Sequence, residues 1–241
     1  MNPFRYLTLV VCALALQACG GSASTPLADA PISDVASIGR EIFFDQSLSA
    51  SGRMSCATCH DSQLGHASPF TAPVALGGAS LDVPGLRVPP AIRYLKFNTT
   101  FRFDADGTPS GGFFWDGRVN TLAEQARQPF LASHEMANAD VQSVMARLAN
   151  ASYAGRFRQV FGDGIFNDPE AAFDRAAYAL ERYQIEDKDF APFNSKFDAV
   201  NAGKASFTEQ ELRGLTWFNR SDKGNCAACH PSTRPANAPA A

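Results

Sequence analysis

The chain has 241 residues, of which 45% are hydrophobic and 19% charged. That is enough apolar material for a globular core, so disorder over most of the length is excluded. A net charge of −3 with no long Lys/Arg run argues against nucleic-acid binding. The informative residues are six cysteines and four histidines.

The N-terminus reads as an export signal over residues 1–18. Arg5 supplies the positive start, and Leu7 to Leu16 is an apolar run of ten residues. Ten residues are too few to span a bilayer as a helix. Leu16-Gln17-Ala18-Cys19 reads as a lipoprotein cleavage box, with Cys19 the first mature residue and the site of a lipid anchor in the periplasm. An ordinary signal peptide cut nearby is the alternative. Cys12 leaves with the signal. Residues 19–31, with Gly20-Gly21-Ser22-Ala23-Ser24 directly after Cys19, read as a flexible tether.

From Ile32 onward the periodicity is helical, with no convincing run of alternating strand residues. Val35, Ile38 and Ile42 share a face. Gly and Pro dominate from Pro69 to Gly112, which predicts long loops. Within them, Asp104-Ala105-Asp106-Gly107 resembles the start of a calcium loop but lacks its later acidic positions, so a solvated turn is expected. Val141, Val144, Met145 and Leu148 follow the i, i+3, i+4, i+7 rule. Tyr153, Phe157, Val160 and Phe161 repeat it, and Gly162 can end that helix. Asp168-Pro169 starts another helix running to about Gln184, with Asp as N-cap and Pro in the first turn. Thr208 and Glu211 form a capping box for a helix from Glu209 to Phe218, onto which Phe207 can staple through Leu212.

Two C-x-x-C-H strings carry the chemistry: Cys56, Cys59, His60 and Cys226, Cys229, His230. In such a string the two thiols add to the vinyl groups of haem, and the histidine becomes the proximal iron ligand. Two c-type haems are therefore expected. Zinc is the competing reading, but zinc sites seldom place His directly after the second Cys of both pairs. Export also suits haem attachment outside the cytoplasm. Each string follows a helix and a short polar turn, a weak internal repeat. His66, His134, Met54, Met136 and Met145 are the spare candidates for a sixth ligand. None is placed in an obvious way, so at least one iron is expected to be open. His66 and His134 are expected at the surface or in loops, and Met136 in packing.

At this point the chain resembles the bacterial di-haem cytochrome c peroxidases and their MauG-type relatives. The resemblance rests on Gly39-Arg40-Glu41-Ile42-Phe43-Phe44-Asp45 through the first string and on Phe114-Trp115-Asp116-Gly117-Arg118. It continues through Glu124-Gln125-Ala126, Pro129 and Glu135-Met136-Ala137-Asn138, and through Leu212-Arg213-Gly214-Leu215 before the second string. It implies an all-α fold of two cytochrome-c-like domains with long loops, over 32–164 and 165–241. It implies that the first haem is peroxidatic. Glu135 would be the distal acid/base, Gln125 a distal group orienting hydrogen peroxide, and Trp115 the relay between haems. Core packing for Trp115 and a surface position for Glu135 are the alternatives. Arg118 is expected in salt bridges. The second haem would take electrons from a small cytochrome c or cupredoxin. A homodimer is compatible with this reading.

The chain also departs from the family pattern. Gly77-Gly78 stands where classical members place a loop histidine on the resting iron, which implies an open, MauG-like site. Arg87-Val88-Pro89-Pro90 replaces the stretch carrying the calcium Asn, so the resemblance does not supply that calcium ligand. The sequence stops 11 residues after His230, in a Pro/Ala-rich tail expected to be disordered from about 231. The second domain is therefore expected to lack the segment with its haem's sixth ligand. A peroxidase is the leading reading. A MauG-type protein oxidase and a non-catalytic di-haem electron carrier are its rivals.

Overall fold

A computed structural model describes residues 31–233. The expected signal, the Cys19 anchor, nearly all of the tether and the tail beyond 233 lie outside them. The architecture is all-α, as expected, with two minimal hairpins in the long loops. Helices α1 (Asp34–Phe44), α2 (Cys56–Cys59), α3 (Leu122–Leu131), α4 (Val141–Leu148), α5 (Ala154–Phe161), α6 (Pro169–Glu186), α7 (Lys196–Asn201) and α8 (Glu209–Asn219) follow in chain order.

The core is built where α1 crosses α6. Ser33 caps α1 by accepting from the Ala36 N–H at 3.2 Å. Ser33 is itself fastened to the end of α6, donating its N–H and hydroxyl to the Glu186 carboxylate at 2.7 and 3.0 Å. The buried stripe of α1 is Ala36, Ile38, Gly39, Ile42 and Phe43. The buried residues of α6 are rich in alanine: Ala172, Ala176, Ala177 and Ala179. Small residues on both sides let the backbones touch. A methyl group at Gly39 would lie 1.9 Å from the Ala179 carbonyl oxygen. Asp168 caps α6 and Pro169 opens it, as the sequence predicts.

The other helices pack around this pair. Val141, Val144, Met145 and Leu148 of α4 are all buried, and so is Phe157 of α5. Phe130 of α3 meets Phe173 of α6 edge to face, with ring centroids 5.5 Å apart. Helix α6 shares its core with α1, α3 and α4, across the boundary expected between 164 and 165. The loops carry β1 (Leu76–Gly77) paired antiparallel with β2 (Val83–Pro84), and β3 (Arg102–Phe103) paired with β4 (Pro109–Ser110). The Asp104 turn is closed by its own neighbours: Arg102 pairs with Asp104 at 3.0 Å and Ser110 donates to it.

Helix α8 differs from the rest. Thr208 and Glu211 form the expected capping box, and Lys196 of α7 pairs with Glu211 at 2.6 Å. No residue of α8 is buried, and Leu212 and Trp217 are exposed.

The crossing generates a test. Ala at Gly39 gains about 1 kcal/mol of helix propensity. The overlap with Ala179 outweighs it, because packed backbones cannot part locally. Gly39→Ala should therefore lose about 1–3 kcal/mol net. That corresponds to a fall of several degrees in Tm by thermal unfolding.

Candidate functional site

The first string forms α2. Thr58 Oγ1 accepts from the Ser55 N–H at 2.9 Å, fixing the start of the turn. Positions i and i+3 of a helical turn face the same way, so Cys56 and Cys59 can engage one ring. The His60 N–H closes the turn on the Cys56 carbonyl at 2.9 Å. His60 Nδ1 lies 3.1 Å from the Pro90 carbonyl oxygen. A carbonyl only accepts, so this contact favours the tautomer with its proton on Nδ1, in which Nε2 is the ligating nitrogen. Burial lowers the His60 pKa, against the pull of nearby carbonyls, and so favours the neutral, ligating imidazole. This donor set fits covalent haem. The Pro90 carbonyl carries no sequence signal, since it acts through its backbone and reaches back 30 residues.

Glu135 comes from the turn that leaves α3. The Thr121–Glu124 capping box starts that helix, and the Met136 and Asn138 N–H groups return to the Pro129 and Phe130 carbonyls. Asn138 Nδ2 donates to the Leu48 and Phe130 carbonyls at 2.8 and 2.9 Å. The Ala50 N–H donates to the Met136 carbonyl at 2.8 Å. The Glu135 turn is thus locked onto residues 48–50, just ahead of the first string. The side chain is half-buried, with Oε1 3.6 Å from His134 Nε2. Burial raises the Glu135 pKa, while the charges of His134 and Arg118 pull it back. Its own charge is felt at both thiols. Burial first, then Cys59 and Glu135, push Cys56 up to about 12, and burial and Glu135 push Cys59 up to about 11. Glu135 therefore lies close enough to the first string for its charge to act on both thiols.

The remaining candidates separate. Gln125 is half-buried on α3. Arg118 makes the expected ion pair, at 2.8 Å to Asp116, holds Gln128 Oε1 at 3.0 Å, and lies 3.7 Å over the Phe114 ring. Trp115 is 69% exposed, which removes core packing as its role. The Arg87 guanidinium lies 6.0 Å from its ring. Residues 87–90 thus run from Trp115 to the carbonyl that orients His60. Met136 is buried in the core, as expected. His134 is half-buried beside Glu135 rather than at the surface.

His66 lies in a loop, as expected, but not at the surface. It is fully buried, with its ring 4.0 Å from that of Phe190 and 6.0 Å from Phe43. Neither ring nitrogen has a hydrogen-bond partner among the described residues. Gly65 supplies the left-handed turn, at φ +70°, that sends the chain inward there. A single histidine in a polar stretch has no periodic neighbours to announce burial.

The second string forms a 3₁₀ turn, Cys226–Ala228, that repeats the backbone closure of the first. The His230 N–H donates to the Cys226 carbonyl at 2.8 Å. Gly224 ties it to α8 by donating to the Trp217 carbonyl at 3.1 Å. The donor set again fits haem. Its surroundings differ, since both cysteines and His230 are exposed.

A family model described as "Di-haem cytochrome c peroxidase" matches residues 33–206. A methylamine utilization protein MauG of Paracoccus denitrificans is 40% identical over 200 residues, which cover 81% of this chain and 51% of that protein. A cytochrome c551 peroxidase of Nitrosomonas europaea is 29% identical over 237 residues, covering 94% of this chain and 63% of that one. The crystal structure of the di-haem peroxidase BthA from Burkholderia thailandensis superposes with a TM-score of 0.78 at 32% identity, covering 87% of this chain and 52% of that one. The chain thus spans about half to two-thirds of the length of these proteins.

The attachment sites can be counted. In protein matured with haem, Cys56→Ser with Cys59→Ser should lower covalent haem from two per chain to one, and so should Cys226→Ser with Cys229→Ser. Intact mass after acid extraction of free haem reads the number. A mass unchanged by either pair of substitutions would disprove attachment at that string.

Proposed function

Since the chain belongs to the di-haem cytochrome c peroxidase family, we propose that it reduces hydrogen peroxide with two c-type haems and electrons from a small periplasmic cytochrome c or cupredoxin. One haem is held by Cys56, Cys59 and His60, the other by Cys226, Cys229 and His230. The observation that carries this reading is the Glu135 turn, anchored on residues 48–50 just ahead of the first string and close enough for its charge to act on both thiols. A lipid anchor through Cys19 would keep the protein at a membrane face in the periplasm.

The overall reaction is H₂O₂ with two electrons and two protons giving two waters. The haems would supply the redox chemistry, and the chain's own residues do the rest. Pro90 holds His60 in the tautomer that ligates through Nε2. Glu135 takes the proton of the inner peroxide oxygen and returns it to the outer one, which leaves as water. Its raised pKa suits both halves of that task, because a carboxyl nearer neutrality exchanges protons more readily in either direction. His134 and Arg118 bias it back toward the carboxylate, the form that accepts the first proton. Gln125 orients peroxide by hydrogen bonding. Trp115, exposed and stacked near Arg87, relays electrons between the two haem-binding strings.

A second reading has one observation in its favour. Gly77-Gly78 has no imidazole to close the first haem, and the backbone there is packed against His134 and Glu135. A permanently open site suits the oxidation of a partner protein's side chain as well as rapid peroxide turnover.

A stopped-flow mixture of matured protein, peroxide and reduced cytochrome c decides between them. Glu135→Gln keeps the shape and removes the titratable proton. It should lower kcat/KM by about 10²–10⁴-fold, the usual contribution of a positioned acid/base. Haem content and Tm should stay unchanged. A long-lived oxidised state without cytochrome turnover would favour protein oxidation. A spectrum unmoved by peroxide would leave only electron transfer.

A further inference from the structure

We infer that the β1–β2 hairpin is a backbone clamp that positions Glu135, and that Gly77 and Gly78 are its positioning residues. The inference rests on the reading of Glu135 as the acid/base.

The geometry is a direct apposition of two loops. Gly77 and Gly78 are both buried although they lie in an otherwise exposed hairpin. A Cβ at Gly77 would fall 2.2 Å from the His134 carbonyl oxygen, 2.7 Å from its carbonyl carbon and 3.0 Å from Glu135 Cα. These are backbone atoms, so no side chain can swing away to make room. Gly78 has φ +86°, a left-handed conformation that glycine adopts without strain. That conformation lets its N–H donate to the Glu135 carbonyl at 2.8 Å. A Cβ there would meet Val83 at 2.8 Å and the Ser133 carbonyl at 3.3 Å. The hairpin register, Leu76 with Pro84 and Gly77 with Val83, holds the glycine pair in place.

The segment bearing Glu135 is therefore gripped from two sides. Residues 48–50 and Asn138 hold it from the core. The glycine pair holds it from the loops. The core contacts fix the turn after α3, and the hairpin closes directly on the Glu135 backbone. Any residue larger than glycine at position 77 must push the Glu135 turn outward or lift the hairpin. A shift of about 1 Å in a reacting group can cost on the order of a hundredfold in rate.

The test uses haem-matured full-length chain and two readouts. One is kcat/KM for peroxide. The other is the affinity of the ferric protein for fluoride, which binds an open iron with help from a distal proton donor and involves no turnover. Gly77→Ala should reduce both by at least about tenfold, while haem content is retained. In a Glu135→Gln background, Gly77→Ala should cause no further loss. The clamp is overturned if Gly77→Ala leaves both readouts within about twofold of the parent. It is equally overturned if the loss is the same size in the Glu135→Gln background. Should Gly77→Ala fail to mature, Val83→Gly loosens the hairpin from an exposed position without adding atoms. It should weaken fluoride binding at least about threefold, and unchanged affinity would sink the clamp. Glu135→Gln alone separates the two ideas. Wild-type turnover in that variant removes the acid/base reading, whereas a large loss there with a silent Gly77→Ala removes only the clamp.

Discussion

Everything described hangs on the backbone contact between α1 and α6. Gly39 lets one helix lie directly on the Ala179 carbonyl of the other. Closer helices bury more apolar surface per residue. The crossing fixes the end of α1, from which the chain runs through residues 46–55 into the first string. It also fixes the C-terminal half of α6, where Tyr183 packs with Phe190 and Phe43 around the buried His66. A slip of either helix would move the proximal loop.

The first string and the Glu135 turn are held by parts that are distant in sequence. The Pro90 carbonyl meets His60, while residues 48–50 and the Gly77–Gly78 hairpin meet the turn after α3. Most of these contributions are made by backbone groups. That makes the arrangement stiff, because a peptide group held at both ends has no rotamers to lose. It also brings His134 and Arg118 near enough to act electrostatically on Glu135. The acid proposed for peroxide cleavage thus stands between burial, which favours its proton, and the electrostatic pull of His134 and Arg118, which opposes it.

The two strings are alike in backbone and unlike in setting. Each closes its histidine N–H onto the carbonyl of the first cysteine. The first is half-buried among helices and loops, while the second stands exposed beyond α8, whose Leu212 and Trp217 also face outward. Apolar side chains on an otherwise unburied helix are surface that some other group can cover.

Much was legible without coordinates, because it depends on neighbours in sequence. Helices α4, α6 and α8 follow from apolar spacing and capping residues, and the α8 capping box forms as Thr208 and Glu211 predict. The two attachment strings follow from spacing alone, since thiols and imidazole must lie within one turn to share a ring. Trp115, Gln125 and Glu135 were reached only through family resemblance. Tertiary structure decided what local spacing cannot encode. It placed His66 in the core, joined α6 to the first-haem helices across an expected boundary, and brought Gly77 and Pro90 to the site through backbone atoms. The reason is physical: periodicity reports which face of an element is buried, whereas a carbonyl or a missing Cβ acquires its role only when another segment arrives against it.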